Sequence, residues 1–172
     1  VDVDGDAVHF SAGDYSVDLV KGEWSPILHL VFRAGVFVRF HALTRAILTE
    51  TDPDVKVYLL PLQLHPMRSP WRYASPKRFV KQIWESCGPF LTLGWPQDTT
   101  GLEDGCITDQ QFLDLCELLV DKRERILVGQ LDGFDEGLLA CVFDSLDRVQ
   151  HMYRRDRPDI VQDWYIRMDA LA

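Results

Sequence analysis

Residues 138–151 read Leu138-Leu139-Ala140-Cys141-Val142-Phe143 and then, without a break, Asp144-Ser145-Leu146-Asp147-Arg148-Val149-Gln150-His151. Six apolar residues bounded by Gly137 and Asp144 follow a long helical pattern. That order predicts a central strand of a parallel sheet, covered on both faces. In open α/β sheets ligand groups collect at the carboxyl ends of strands, where loops aim side chains into a crevice. Asp147 and His151 stand just there, four residues apart, so on a helical turn both point at one atom. A carboxylate oxygen and an imidazole nitrogen are compatible ligands of zinc or manganese. The same spacing also fits a plain structural role, with Asp147 capping a helix start and His151 a surface or packing histidine. Asp144 is either a partner that fixes the tautomer of His151 or a strand-end cap.

Upstream of this stretch the pattern is helical. Thr108-Asp109-Gln110-Gln111 is a capping box, with Thr108 as cap and Gln111 three residues on. It opens a long helix with a stripe through Phe112, Cys116, Leu119, Arg123, Leu127, Gln130, Leu131 and Phe134, ending between Gly133 and Gly137. The charged run Asp121 to Arg125 reads as a solvated face with local ion pairs. Ser75 and Pro76 suit a helix start and Gly88 a stop, with Phe79, Val80, Ile83, Trp84 and Cys87 on one side between them. Phe90 to Gly105 reads as a long loop. A last helix near residues 160–171 turns Ile160, Trp164, Met168 and Leu171 inward.

The first sixty-odd residues read as β. Ala7 to Phe10 and Tyr15 to Val20 are short runs broken at Gly5 and Gly13-Asp14, where hairpin turns belong. Ile27 to Phe32 follows, then a long alternating run from Val36 to Leu48. His29 and His41 fall in these runs as core or sheet-face histidines. Thr51 to Asp54 is a turn by composition. Val55 to Leu62 is nearly continuous apolar sequence and suits a strand buried on both faces. A Pro- and Arg-rich stretch from His65 to Tyr73 separates a β-rich region, residues 1–66, from a helical and α/β region, residues 67–172. Within it Arg68, Trp71 and Arg72 either face a phosphate-bearing substrate or simply link the two regions.

Composition narrows the function. The chain has 172 residues, 47% of them hydrophobic, enough for a packed core and too many for general disorder. Eighteen Lys and Arg stand against 27 Asp and Glu, a net charge of −9. So acidic a surface repels a phosphate backbone, and binding to nucleic-acid polymers is not expected. No run approaches the roughly 18 uncharged apolar residues of a membrane span. Cys87, Cys106, Cys116 and Cys141 form no CxxC pair, which points to reduced packing thiols and a cytoplasmic protein. The N-terminus, Val1-Asp2-Val3-Asp4, has no basic or apolar leader and reads as the interior of a longer protein.

The segment Leu139 to Arg154 resembles the metal-binding block of the type I phosphodiesterase/nucleotide pyrophosphatase family, in the alkaline phosphatase superfamily. Tyr58-Leu59-Leu60-Pro61-Leu62, then Gly94-Trp95-Pro96-Gln97-Asp98-Thr99, then the Thr108 helix with Arg123-Glu124-Arg125, occur in the order of an uncharacterised predicted phosphohydrolase or phosphomutase subgroup. The resemblance covers roughly residues 55–155. Gln150 stands where many members carry Gly before the His. The resemblance implies a mixed α/β fold, with a β-rich insertion followed by a piece of an alkaline-phosphatase-like core. It further implies a metal-dependent phosphoric ester hydrolase that uses two divalent ions and a phosphorylated small-molecule substrate. Asp147 and His151 would bind one of those ions. An early Asp, a Ser or Thr nucleophile and a later Asp-His pair cannot be placed, so the chain alone is expected to be inactive. The competing expectations are a non-enzymatic β-rich binding module and a phosphomutase. If part of a sheet is missing, exposed strand edges favour self-association.

Overall fold

In the computed structural model, residues 2–12, 15–34, 38–92 and 96–171 are described. The expected turn at Gly13-Asp14, the residues Val36 and Phe37 of the long alternating run, and the pair Gly94-Trp95 lie outside them. Among the described residues the fold is a mixed α/β arrangement of small antiparallel sheets and five helices.

Strands β1 (Asp2–Asp4), β2 (Ala7–Ala12) and β3 (Tyr15–Val20) form one meander, with Ala7 opposite Val20. Its first turn places Gly5 at φ +59°, where a side chain would strain the backbone. Strands β4 (Leu28–Ala34) and β5 (Val38–Thr44) pair with Leu28 opposite Thr44, and the short β8 (Gln63–Leu64) adds to β5. Strands β6 (Ala46–Glu50) and β7 (Lys56–Leu59) make a third, two-stranded sheet.

The long run ending at Leu48 is thus two strands, not one. The chain changes sheets at Arg45, and residues 46–48 turn their backbone to β7 and to single bridges with Lys21 and Trp24. Nor is the Val55–Leu62 run buried on both faces. Among the described residues β7 pairs with β6 alone, and Val57 and Leu59, on one face of it, remain exposed.

Helix α1 (Arg78–Cys87) begins two residues later than Ser75-Pro76 suggests, with Lys77 as a cap that makes no side-chain bond, and stops at Gly88. A short α2 (Thr99–Glu103) interrupts the expected loop; Asp98 caps it by accepting from the Gly101 amide at 3.0 Å. Helix α3 (Asp109–Leu131) starts with the full capping box: Thr108 Oγ1 accepts from Gln111 N, and the Gln111 side chain accepts from Thr108 N. It is followed by α4 (Ser145–Tyr153) and α5 (Pro158–Asp169).

The main core joins both halves of the chain. Ile47 from the β region packs with Phe112, Cys116, Val120, Val149, Tyr153, Ile160 and Trp164. Trp24 fastens the halves further by donating its indole N–H to the Gln111 carbonyl at 2.7 Å. A second cluster, Val8, Leu19, Leu28, Ala46 and Leu48, holds the sheets to each other.

Burial of α3 stops near Val120, and the helix runs on past the core with Val128 and Leu131 exposed. Beyond it lies the principal correction. Residues 138–143 form no strand; Leu138 is 91% and Val142 77% exposed. A central parallel strand needs a ladder on each side. Every strand pair among the described residues is instead antiparallel and drawn from the first 64 residues. The apolar run has no neighbour to join.

Candidate functional site

Helix α4 owes its orientation to a strict split between its faces. Ser145, Val149 and Tyr153, spaced by four, are buried. Asp147 and His151 lie two positions off that stripe, some 200° around at about 100° per residue, so they face solvent. Asp147 Oδ1 and His151 Nε2 are 3.5 Å apart, and the side chains are 54% and 66% exposed. Arg148 also approaches Asp147, at 3.3 Å. Asp147, in the first turn, suits the positive end of the helix dipole.

Does this pair fit a metal ion? Two ligands at about 2.0–2.1 Å from a tetrahedral zinc are separated by about 3.3 Å. The observed 3.5 Å matches that separation. Among the described residues, no group of three His, Cys, Asp or Glu is arranged to hold an ion. The pair thus has the spacing of two ligands, with no third beside it among the described residues.

Asp144 sits at the head of α4 but turns away from His151. Its carboxylate accepts from both terminal nitrogens of Arg123 and from Gln97 Nε2 at 2.8 Å. Burial alone would raise this carboxyl; the Arg123 and Gln97 bonds outweigh it and hold the group below the ordinary carboxylate range. Gln97 also donates to the fully buried Ser145 Oγ at 3.0 Å, which in turn reaches the Cys116 carbonyl. Burial pushes the Cys116 thiol up, with Asp144 and Glu117 adding to it, so it is an inert packing group.

Tyr58 donates to Asp98, and the same carboxylate caps α2. A Cβ on Gly101 would lie 2.3 Å from Tyr58 Oη, so only glycine fits. The residues around Tyr58 and Gln97-Asp98 are thus a joint between β7, α2 and α4. Arg72 bonds the Ala74 carbonyl and the Ser75 hydroxyl, while Arg68 lies near a second cluster.

That cluster was invisible in the linear sequence. His29 on β4, His41 on β5 and His65 after β8 stack together, with ring centroids 4.7 Å (His29–His65) and 5.1 Å (His29–His41) apart. His65 lies on Trp84 of α1 at 4.6 Å. The hairpin register is the signal that finds them. His41 faces Val31, two positions from His29, so the two share one sheet face. His29 Nε2 and His41 Nδ1 are 2.9 Å apart in a direct hydrogen bond, which occupies both nitrogens. Burial, then His29, His41 and Arg68, push the His65 imidazole down to about 4. Burial, then His41 and Arg68, lower His29 as well. Burial thus disfavours charge on His29 and His65, and the cluster is an aromatic joint between sheet and helix.

Compared with family models, curated proteins and solved structures, the chain returns no match. Among the described residues no helix is long and apolar enough to cross a membrane.

Proposed function

We propose that this chain forms part of a metal-dependent phosphoric ester hydrolase, and that Asp147 and His151 supply two ligands to one of its divalent ions. The observation that carries this reading is the 3.5 Å approach of Asp147 Oδ1 to His151 Nε2 on the solvent face of α4. Asp147 and His151 would hold the ion, which would supply Lewis acidity toward a phosphoryl oxygen and bound water. The chain's own contribution is to orient the ligands. Ser145, Val149 and Tyr153 pin the helix, and Arg123 and Gln97 fix its first turn. The open apolar run 138–143 supports an alkaline-phosphatase-like core in which a sheet beyond these residues covers it. Two ligands leave the ion's remaining positions to other groups, so the chain alone is inactive.

A titration of zinc or manganese followed by the His151 imidazole resonance tests the ligand assignment. Zinc should shift His151, and Asp147→Asn should abolish the shift. Activity is read in the protein that carries the rest of the site, where Asp147→Asn and His151→Gln should each lower phosphodiester hydrolysis by about a hundredfold or more. Unchanged metal content and unchanged rates in both variants would remove the assignment.

One observation favours a second reading, a binding module without catalysis. Phe10, Val17, Leu30, Phe32, Val57 and Leu59 line an apolar hollow of about 310 Å³ between the sheets, a volume within the range of small-ligand sites.

A further inference from the structure

Between residues 55 and 84 the sequence carries Lys56, Arg68, Arg72, Lys77, Arg78 and Lys81 and no Asp or Glu, in a chain of net charge −9. Arg72, Lys77, Arg78 and Lys81 come together around a cavity of about 350 Å³, whose other walls include Met67, Trp71 and Tyr73. That volume suits a small ligand. Trp71 and Met67 are exposed.

Two features of this cavity have no structural purpose within the fold. First, the cations oppose the helix they sit on. Lys77 caps α1, Arg78 opens it and Lys81 follows in the next turn, while the first turn holds no acid and no side-chain cap. The positive end of a helix dipole favours anions. Second, Lys77 and Arg78 have no ion-pair partner among the described residues, whereas Lys81 reaches Glu85 at 3.6 Å.

An anion answers both. The exposed Trp71 indole on the wall of the same cavity offers a flat face for a planar ring. We propose that this cavity binds a phosphate monoester bearing a planar aromatic ring, of which a mononucleotide is the simplest example. The phosphate lies against Lys77 and Arg78 at the start of α1, and the ring lies on Trp71 beside Met67. None of these residues belongs to the Asp147–His151 pair, so the inference stands apart from the metal reading.

Calorimetric titration of the chain with adenosine monophosphate, in low salt with a chelator present, tests it. The expected result is saturable one-to-one binding that weakens as salt rises. Adenosine and inorganic phosphate should each bind at least about tenfold more weakly. Replacing Lys77→Gln and Arg78→Gln together should weaken the nucleotide about tenfold or more and leave adenosine unchanged. Trp71→Ala should weaken the nucleotide at least about fivefold and leave inorganic phosphate unchanged. These side chains are exposed, and circular dichroism confirms that the variants keep the fold. Absence of saturable binding, or binding that the charge variants leave intact, overturns the proposal. Equal affinity for nucleotide and inorganic phosphate overturns its aromatic half. The chelator keeps the outcome independent of any metal.

Discussion

Replacing Asp144→Ala removes the group on which three elements converge. Its carboxylate takes both nitrogens of the Arg123 fork from α3 and Gln97 Nε2 from the stretch before α2, and its backbone carbonyl starts α4 by accepting from Arg148 N at 3.2 Å. The backbone bond survives the substitution; the side-chain bonds do not. Arg123 and Asp144 are 27% and 28% exposed, so solvent screens part of the loss. Hydrogen bonds to a charged group are worth about 1.5–3 kcal/mol in such settings, against about 0–1 for a surface pair. The expected loss is about 2 kcal/mol, or a fall in Tm of about 4–8 °C for a domain of this size. Asp144→Asn should retain roughly half of that stability by keeping one neutral acceptor. Because the folded carboxyl titrates below its ordinary value, the contribution is present above about pH 4 and fades as pH falls through the lower folded value. Urea unfolding of the wild type, Asp144→Ala, Arg123→Ala and the double variant closes the cycle. A coupling energy below about 0.3 kcal/mol would refute the claim that this ion pair braces α4, since additivity is the behaviour of independent sites.

Three further outcomes follow from the same geometry. His65 is 5% exposed and titrates near 4 in the fold against 6.5 unfolded. The unfolded chain therefore binds the proton first, and up to roughly 3 kcal/mol is lost as pH falls from about 6.5 to 4; acid denaturation monitored by fluorescence should lose most of this slope in His65→Phe. Gly101→Ala forces a methyl against Tyr58 Oη and should cost about 1–3 kcal/mol by thermal melt, with partial rescue by Tyr58→Phe. Leu138→Lys and Val142→Lys should each change stability by less than about 0.5 kcal/mol in urea titrations, whereas substitutions in a buried strand would cost several times more.

Local signals in the sequence carried much of this fold. The Thr108–Gln111 box, the stop at Gly88 and the hairpin runs around Gly5 depend on neighbours a few residues away, and each lies where its chemistry requires. The four-residue spacing of Asp147 and His151 likewise sets their approach, because a helix converts that spacing into adjacency. Legibility fails where an outcome depends on distant chain. Leu138–Phe143 has the composition of a buried strand, but composition does not state whether another strand is present to pair with it. The histidine cluster needed the β4–β5 register and the docking of α1, neither of which periodicity reports. Asp144 went to Arg123 rather than to His151 because α3 crosses behind it, a tertiary fact.

The overhang of α3 makes one rod a gauge of two different processes. Amides around Leu115–Val120 are locked in the interior, and deuterium reaches them only when the whole molecule opens. Those near Val128 and Leu131 lie on the exposed last turns, beyond the contact of Cys87 with Arg125, and they swap protons as the tip unwinds turn by turn. Exchange rates along this single helix should therefore rise steadily toward its far end, so that label uptake at one terminus reports overall stability and at the other only local fraying.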